Sequence, residues 1–219
     1  MTEPVKRRSY DATARQANSA STRQGILDVA RSLFIERGYN KTTIAMIAAG
    51  AGVNVDTVYT LAGRKPVIVK ELIEQALSGV GRPVEAEQRA HIVAQRAESD
   101  PRAKLRIYSA AIRRTHERLA PLFLALRDAS SVDSEAAGVW QEISDRRARN
   151  MQKLVADVRS TVGERTNRFE FSIRDAADIA WVLNSPETYL MLTTERGWTG
   201  TRYEHYLASA LLQMILGES

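Results

Sequence analysis

The chain has 219 residues and a mass of 24.4 kDa, enough for one large domain or two small ones with a sizeable core. With 44% hydrophobic and 26% charged residues it has the composition of a folded protein. It has no cysteine, which excludes disulfides, thiolate metal sites and a cysteine nucleophile. The whole net charge of +5 lies in residues 1–65, which hold 10 Lys/Arg against 5 Asp/Glu, whereas residues 66–219 hold 21 of each. Such asymmetry points to a nucleic-acid-facing end and a neutral remainder.

Residues 1–20 are polar and carry Lys6, Arg7, Arg8 and Arg15, which reads as a flexible basic arm. No apolar stretch follows these cations, so the segment is not a signal peptide. The longest nearly apolar run, Ile44 to Val53, is ten residues, short of the roughly 18 a membrane span needs. The expectation is a cytoplasmic protein with no membrane partner. From Ser21 the pattern turns helical: Ile26, Leu27, Ala30, Leu33 and Phe34 recur at three- and four-residue spacing until Gly38. Thr43 can cap a second helix, with Ile44, Ile47, Ala48 and Ala51 on one face and a stop near Gly52. A third, short helix runs from Val55 to Leu61 with Val58 and Leu61 inward. A fourth starts at Lys65-Pro66 and ends at Gly79.

The remainder also reads as helix. Residues 84–98 are modestly amphipathic. Asp100-Pro101 caps and opens a helix with the stripe Leu105, Tyr108, Ile112 and Leu119, and Pro121 predicts a restart into the apolar Leu122 to Leu126. A long helix spans about 134–162. Ser172-Ile173-Arg174-Asp175 resembles a capping box for a helix to about Asn184, which Ser185-Pro186 interrupts before a continuation to Arg196. The last helix carries Tyr203, Leu207, Ala210, Leu211, Met214 and Ile215. No stretch alternates as a strand would. The prediction is an all-α fold of about nine or ten helices. Its parts are an arm over 1–20, a DNA-binding domain over 21–65 and an effector-binding and dimerisation domain over 66–219.

Segment 44–61 has the parts of a helix-turn-helix. Ala48 is small where a second helix must cross, Gly52 can take positive φ in the turn, and Val58 and Leu61 anchor the second helix inward. Asn54, Val55, Asp56, Thr57 and Thr60 then face outward, short and mostly polar, suited to base edges and phosphates in a major groove. Asp56 can only accept, from a cytosine amino group. Thr43 can cap its helix and also offer its hydroxyl to phosphate.

Residues Gly38 to Lys65 read GYNKTTIAMIAAGAGVNVDTVYTLAGRK. In order and spacing this resembles the TetR family pattern of glycine-aromatic, Thr-Thr-Ile, Ile-Ala, Ala-Gly-Val, Val-Tyr and Lys. The resemblance covers about residues 21–77. It implies a three-helix reading head, a helical ligand and dimerisation domain, and a homodimer on a palindromic double-stranded DNA operator. Tyr59 matches the family tyrosine on backbone phosphate, and Lys65 the lysine whose ammonium and helix N-terminus meet a phosphate. Leu61-Ala62 stand where the family has a ring pair. Arg64 replaces a Ser or Asn and adds a cation near the phosphates.

Beyond the head, the resemblance implies ligand sensing and dimerisation. Tyr108, His116, Phe123, Trp140, Trp181 and Tyr189 are spread over several helices and can line a mostly apolar cavity for a small, largely apolar effector. Arg113 and Arg114 are candidates for pairing an anion. Leu207, Leu211 and Met214 share a face of the last helix and are the expected dimer contact. An enzyme is excluded on several counts. There is no glycine-rich phosphate loop after a strand, no nucleophile elbow, and His116-Glu117 lacks the second histidine of a zinc-protease helix. Three distant histidines leave little for a metal centre, so no catalytic residue, cofactor or metal is expected. The leading expectation is a ligand-responsive repressor; the alternative is an architectural DNA-binding protein without an effector.

Overall fold

A computed structural model describes residues 12–79, 84–162 and 171–217. These form ten α-helices, with no strand among the described residues. No single described helix is long and apolar enough to cross a membrane. The chain divides into two compact units, residues 1–68 and 69–219.

The first unit holds α1 (Ala12–Lys41), α2 (Ile44–Ala51), α3 (Val55–Leu61) and the start of α4 (Lys65–Ser78). The arm expected over 1–20 is corrected from Ala12 onward, because those residues continue α1. They hold four alanines and neither glycine nor proline, so helix propensity carries the periodic segment backward. Lys6, Arg7 and Arg8 lie outside the described residues. The α1 axis breaks at Gly38 (φ 77°, ψ 162°). The core of the unit is Ile26, Leu27, Ala30, Phe34, Ile47 and Val58, all at most 1% exposed. Phe34 stacks on Tyr39 with ring centroids 5.5 Å apart.

The second unit holds the rest of α4, a 3₁₀ turn (Ala86–Gln88) and six further helices. These are α5 (Ala90–Ala97), α6 (Pro101–Ser130), α7 (Ser134–Ser160), α8 (Ile173–Leu183), α9 (Pro186–Leu190) and α10 (Gly200–Leu216). A single π turn, Met191–Glu195, follows α9. Asp100, Asp133 and Ser172 cap α6, α7 and α8 through their side chains. α6 is the centre of the unit and packs against α5, α7, α9 and α10. The restart expected at Pro121 is a second correction, since α6 runs through it. Proline removes one helix hydrogen bond, but Leu119, Ala120, Leu122 and Phe123 around it are at most 3% exposed. Burying those side chains on either side outweighs the roughly 3 kcal/mol that an interior proline costs.

Candidate functional site

The reading head is built from local chemistry. Thr43 caps α2, its hydroxyl accepting from the Met46 amide at 3.1 Å. Gly52 ends α2 in the left-handed region (φ 67°), and its amide donates back to the Ala49 carbonyl. A Cβ at Gly50 would lie 2.7 Å from Val29 Cγ1, so this glycine lets α2 approach α1. Ala48 is 2% exposed. The α2 and α3 axes meet at 97°, within the range of a helix-turn-helix. Val58 is fully buried and orients α3. That leaves Asn54, Val55, Asp56, Tyr59 and Thr60 exposed, with Thr57 half-buried among them. Asn54 opens α3 without using its side chain as a cap, so its amide is available.

Two cations do more structural work than their sequence positions suggest. Lys65 donates to the Tyr39 carbonyl at 3.0 Å and stands 4.2 Å from the centroid of the Tyr39 ring, which ties the start of α4 to the end of α1. Arg23, on α1, donates from Nε to the Leu61 carbonyl at 2.8 Å and secures the end of α3. Arg64 and Lys41 are exposed.

The second unit contains a cavity of about 430 Å³, bounded by α5, α6 and α7 with Leu77 and Asn184 at its edge. Of the six rings expected to line it, only Tyr108 and His116 do. Phe123 is fully buried against Trp140, with centroids 4.7 Å apart, and Tyr189 packs edge-on against Tyr203 at 5.1 Å. Trp181 lies beneath Arg147 rather than on the cavity wall. None of Phe123, Trp140, Trp181 and Tyr189 lines the cavity: Phe123 and Tyr189 are buried, and Trp140 and Trp181 are half-buried beside other rings and Arg147. Arg113 is held by Glu117 and Glu204 at 2.6 and 2.8 Å.

A polar cluster at the cavity wall turns on Asn184, the residue that ends α8. Its backbone carbonyl accepts from His116 Nε2 at 2.7 Å, and its side-chain oxygen accepts from Arg147 at 3.1 Å. Its Nδ2 donates to the Tyr108 hydroxyl and to Met151 Sδ. Burial pulls the His116 pKa down to about 3, the nearby Arg147 charge adding to the effect and the Asn184 carbonyl opposing it. The ring is thus neutral, with its proton on Nε2. Its Nδ1 is a buried acceptor with no partner among the described residues. Desolvation likewise raises the Tyr108 pKa, so that hydroxyl stays protonated. Asn184 and Arg147 both lie in register with apolar stripes, Arg147 four residues from Ile143 and Met151 and Asn184 four after Ala180, so a polar residue on a buried face is the signal that could have found them.

The dimer expectation is also corrected. Leu207 and Leu211 are 0% exposed within a single chain and belong to its core, so neither is free to touch a partner; Met214 is half-buried. Apolar side chains that do reach the surface of the last helices are Ile173, Val182 and Tyr206.

Exposed polar residues on a short helix, set across a perpendicular partner in a compact N-terminal head, define a DNA-binding helix-turn-helix protein. Residues 26–72 match the model of the tetR family of bacterial regulatory proteins. That match covers the reading head and α4 as far as Leu72. No curated protein matches it. Among solved structures it resembles NalD, the secondary repressor of the MexAB-OprM multidrug efflux pump in Pseudomonas aeruginosa. The two are 21% identical, over 93% of this chain and 100% of that one, with a TM-score of 0.71. It also resembles the fatty acid degradation regulator FadR from Bacillus halodurans (17% identical, 87% and 94% covered, TM-score 0.68). A third is the MbdR regulator from Azoarcus sp. CIB (23% identical, 87% and 97% covered, TM-score 0.64). These likenesses establish a shared fold over nearly the whole chain.

Proposed function

We propose that the protein is a ligand-responsive transcriptional repressor that binds a palindromic operator as a homodimer and is released by a small molecule. The observation that carries this reading is the cavity: a reading head alone needs no second unit, and here that unit holds an open cavity of about 430 Å³ with a few convergent polar groups. This volume falls in the ~300–1,000 Å³ range of small-molecule sites. It also weighs against an architectural protein without an effector. Repression is the activity named for NalD, whose fold the chain shares.

Each part has a role. Asn54, Val55, Asp56 and Thr57 read base edges. Thr43, Tyr59, Thr60 and Arg64 meet phosphates, and Lys65 both positions α4 and contributes its charge. Ile173, Val182 and Tyr206 supply the apolar contact between protomers, in place of the buried leucines. An effector releases DNA if it binds more tightly to the conformation whose heads are wrongly spaced. α4 carries the chain from one unit to the next and is the route for that change. The test is a thermal-shift screen of small molecules, followed by operator anisotropy with each stabiliser. A ligand that raises Tm and releases operator is the expected outcome. Ligands that stabilise the protein yet leave operator affinity unchanged would remove the coupling.

A further inference from the structure

We propose that the cavity is built for an organic acid, whose carboxylate pairs with Arg147 while its apolar body fills the space beside it. The inference rests on the sensor reading above and specifies the ligand class. Arg147 comes from the middle of α7 and lines the cavity. Its Nη2 donates to the Trp181 carbonyl and to Asn184 Oδ1, both at 3.1 Å. The guanidinium lies over the Phe123 and Trp181 rings, 5.5 and 5.0 Å from their centroids. All of these partners are neutral. Among the described residues no carboxylate lies within ion-pair distance of it. Glu187 acts on it only from farther off and is itself paired with Arg127 at 3.4 Å.

The other cations of the wall are differently placed. Lys153 pairs with Glu87 at 3.5 Å, and Arg89 with Glu74 at 3.8 Å. The acid Asp157 is taken by Lys104 at 3.0 Å. Arg96 is exposed and keeps its water. Arg147 is thus the cation that has lost much of its hydration without gaining a counter-ion, an arrangement that is costly until an anion arrives. Its Nε and Nη1 make no hydrogen bond among the described residues, which leaves a planar set of donors open. A carboxylate can take a charge-assisted bond from either of them while Nη2 keeps its two carbonyl partners. Ile92, Ile112, Leu119, Met151 and Leu154 provide the apolar wall for the remainder of the molecule. Because Arg147 also holds Asn184, a bound acid acts directly on the residue that ends α8.

The experiment is isothermal titration of the full-length protein with phenylacetate, 4-phenylbutyrate and decanoate, each set against its own primary amide. Acid and amide match in shape and differ in charge. At least one acid is expected to bind roughly tenfold or more tightly than its amide, the difference a charge-assisted pair makes. Arg147→Gln should abolish that preference, and Arg147→Lys, which keeps the charge but loses the hold on the Trp181 and Asn184 oxygens, should fall between. Circular dichroism checks that the variants fold; if they do not, the acid-to-amide ratio of the unmodified protein decides. Amides that bind as tightly as their acids would overturn the organic-acid assignment and leave the sensor reading intact. Failure of every acid and every amide to bind would overturn both.

Discussion

The last helix offers the sharpest separation of core from interface. Leu211 is 0% exposed and packs in the cluster that includes Tyr203, Leu207 and Ile215. Leu211→Ala removes three carbons from a site walled by α6 and other helices that cannot collapse into the gap. Buried Leu→Ala changes cost about 2–5 kcal/mol, and a rigid, fully buried site belongs near the middle, at about 3 kcal/mol. For a chain of this size that is a fall in Tm of roughly 6–12 °C. Thermal unfolding followed by circular dichroism measures it, and light scattering at the same concentration reports assembly. The variant should be much less stable yet assemble as the parent does while folded. Val182→Arg, at a side chain 54% exposed, should do the opposite: stability within about 0.5 kcal/mol and a smaller scattering mass. If Leu211→Ala cost under about 1 kcal/mol and dissociated the protein, the apolar stripe of α10 would be an interface after all.

Gly52→Ala should cost about 1–2 kcal/mol although nothing lies within 4 Å of the added methyl, because the penalty comes from φ 67° alone; a neutral change in urea unfolding would contradict this. His116 titrates near 3 when folded and near the ordinary 6.5 when unfolded, so between those values the unfolded chain binds more protons. Stability should therefore fall with pH in that window, by about 2 kcal/mol between pH 7.5 and 5, and His116→Gln should flatten the profile. Burial pulls His91 down to about 4 and adds a loss of the same sign that the variant keeps. Lys104→Met should cost about 1–3 kcal/mol, since it orphans the Gln95 carbonyl and leaves Asp157 without its cation. Asn54→Ala should change base preference by roughly 1–3 kcal/mol at one position, whereas Tyr59→Ala should weaken binding to all sequences alike, as read by anisotropy on operator variants.

The reading head was legible because its determinants are local. The Thr43 cap, the Gly52 turn, the Ala48 crossing and the Val58 anchor each follow from one residue and its neighbours, and the structure places all four as their chemistry requires. The helices of the second unit were legible for the same reason, through Asp100, Ser172 and their apolar stripes. Pro121 misled because tertiary burial overrode a local breaker. The cavity was not legible, since it depends on which faces of α5, α6 and α7 fail to meet. Rings drew attention by size, but size suits close packing, as Phe123 and Trp140 show. The polar wall comes from residues far apart in sequence, Tyr108, Arg147 and Asn184, joined only by folding. Periodicity marks an apolar stripe without saying what covers it, which is why Leu207 and Leu211 read equally as core or interface.

Sequence-specific recognition by a two-fold symmetric assembly is the claim on which the rest depends. Selection of bound sequences from random double-stranded DNA with the full chain tests it most directly. The expected result is one enriched palindrome whose half-sites are centred about 10 base pairs apart or a multiple of that, with affinity falling steeply as salt rises. Binding with no enriched sequence, or enrichment of a single unsymmetrical site, would contradict it.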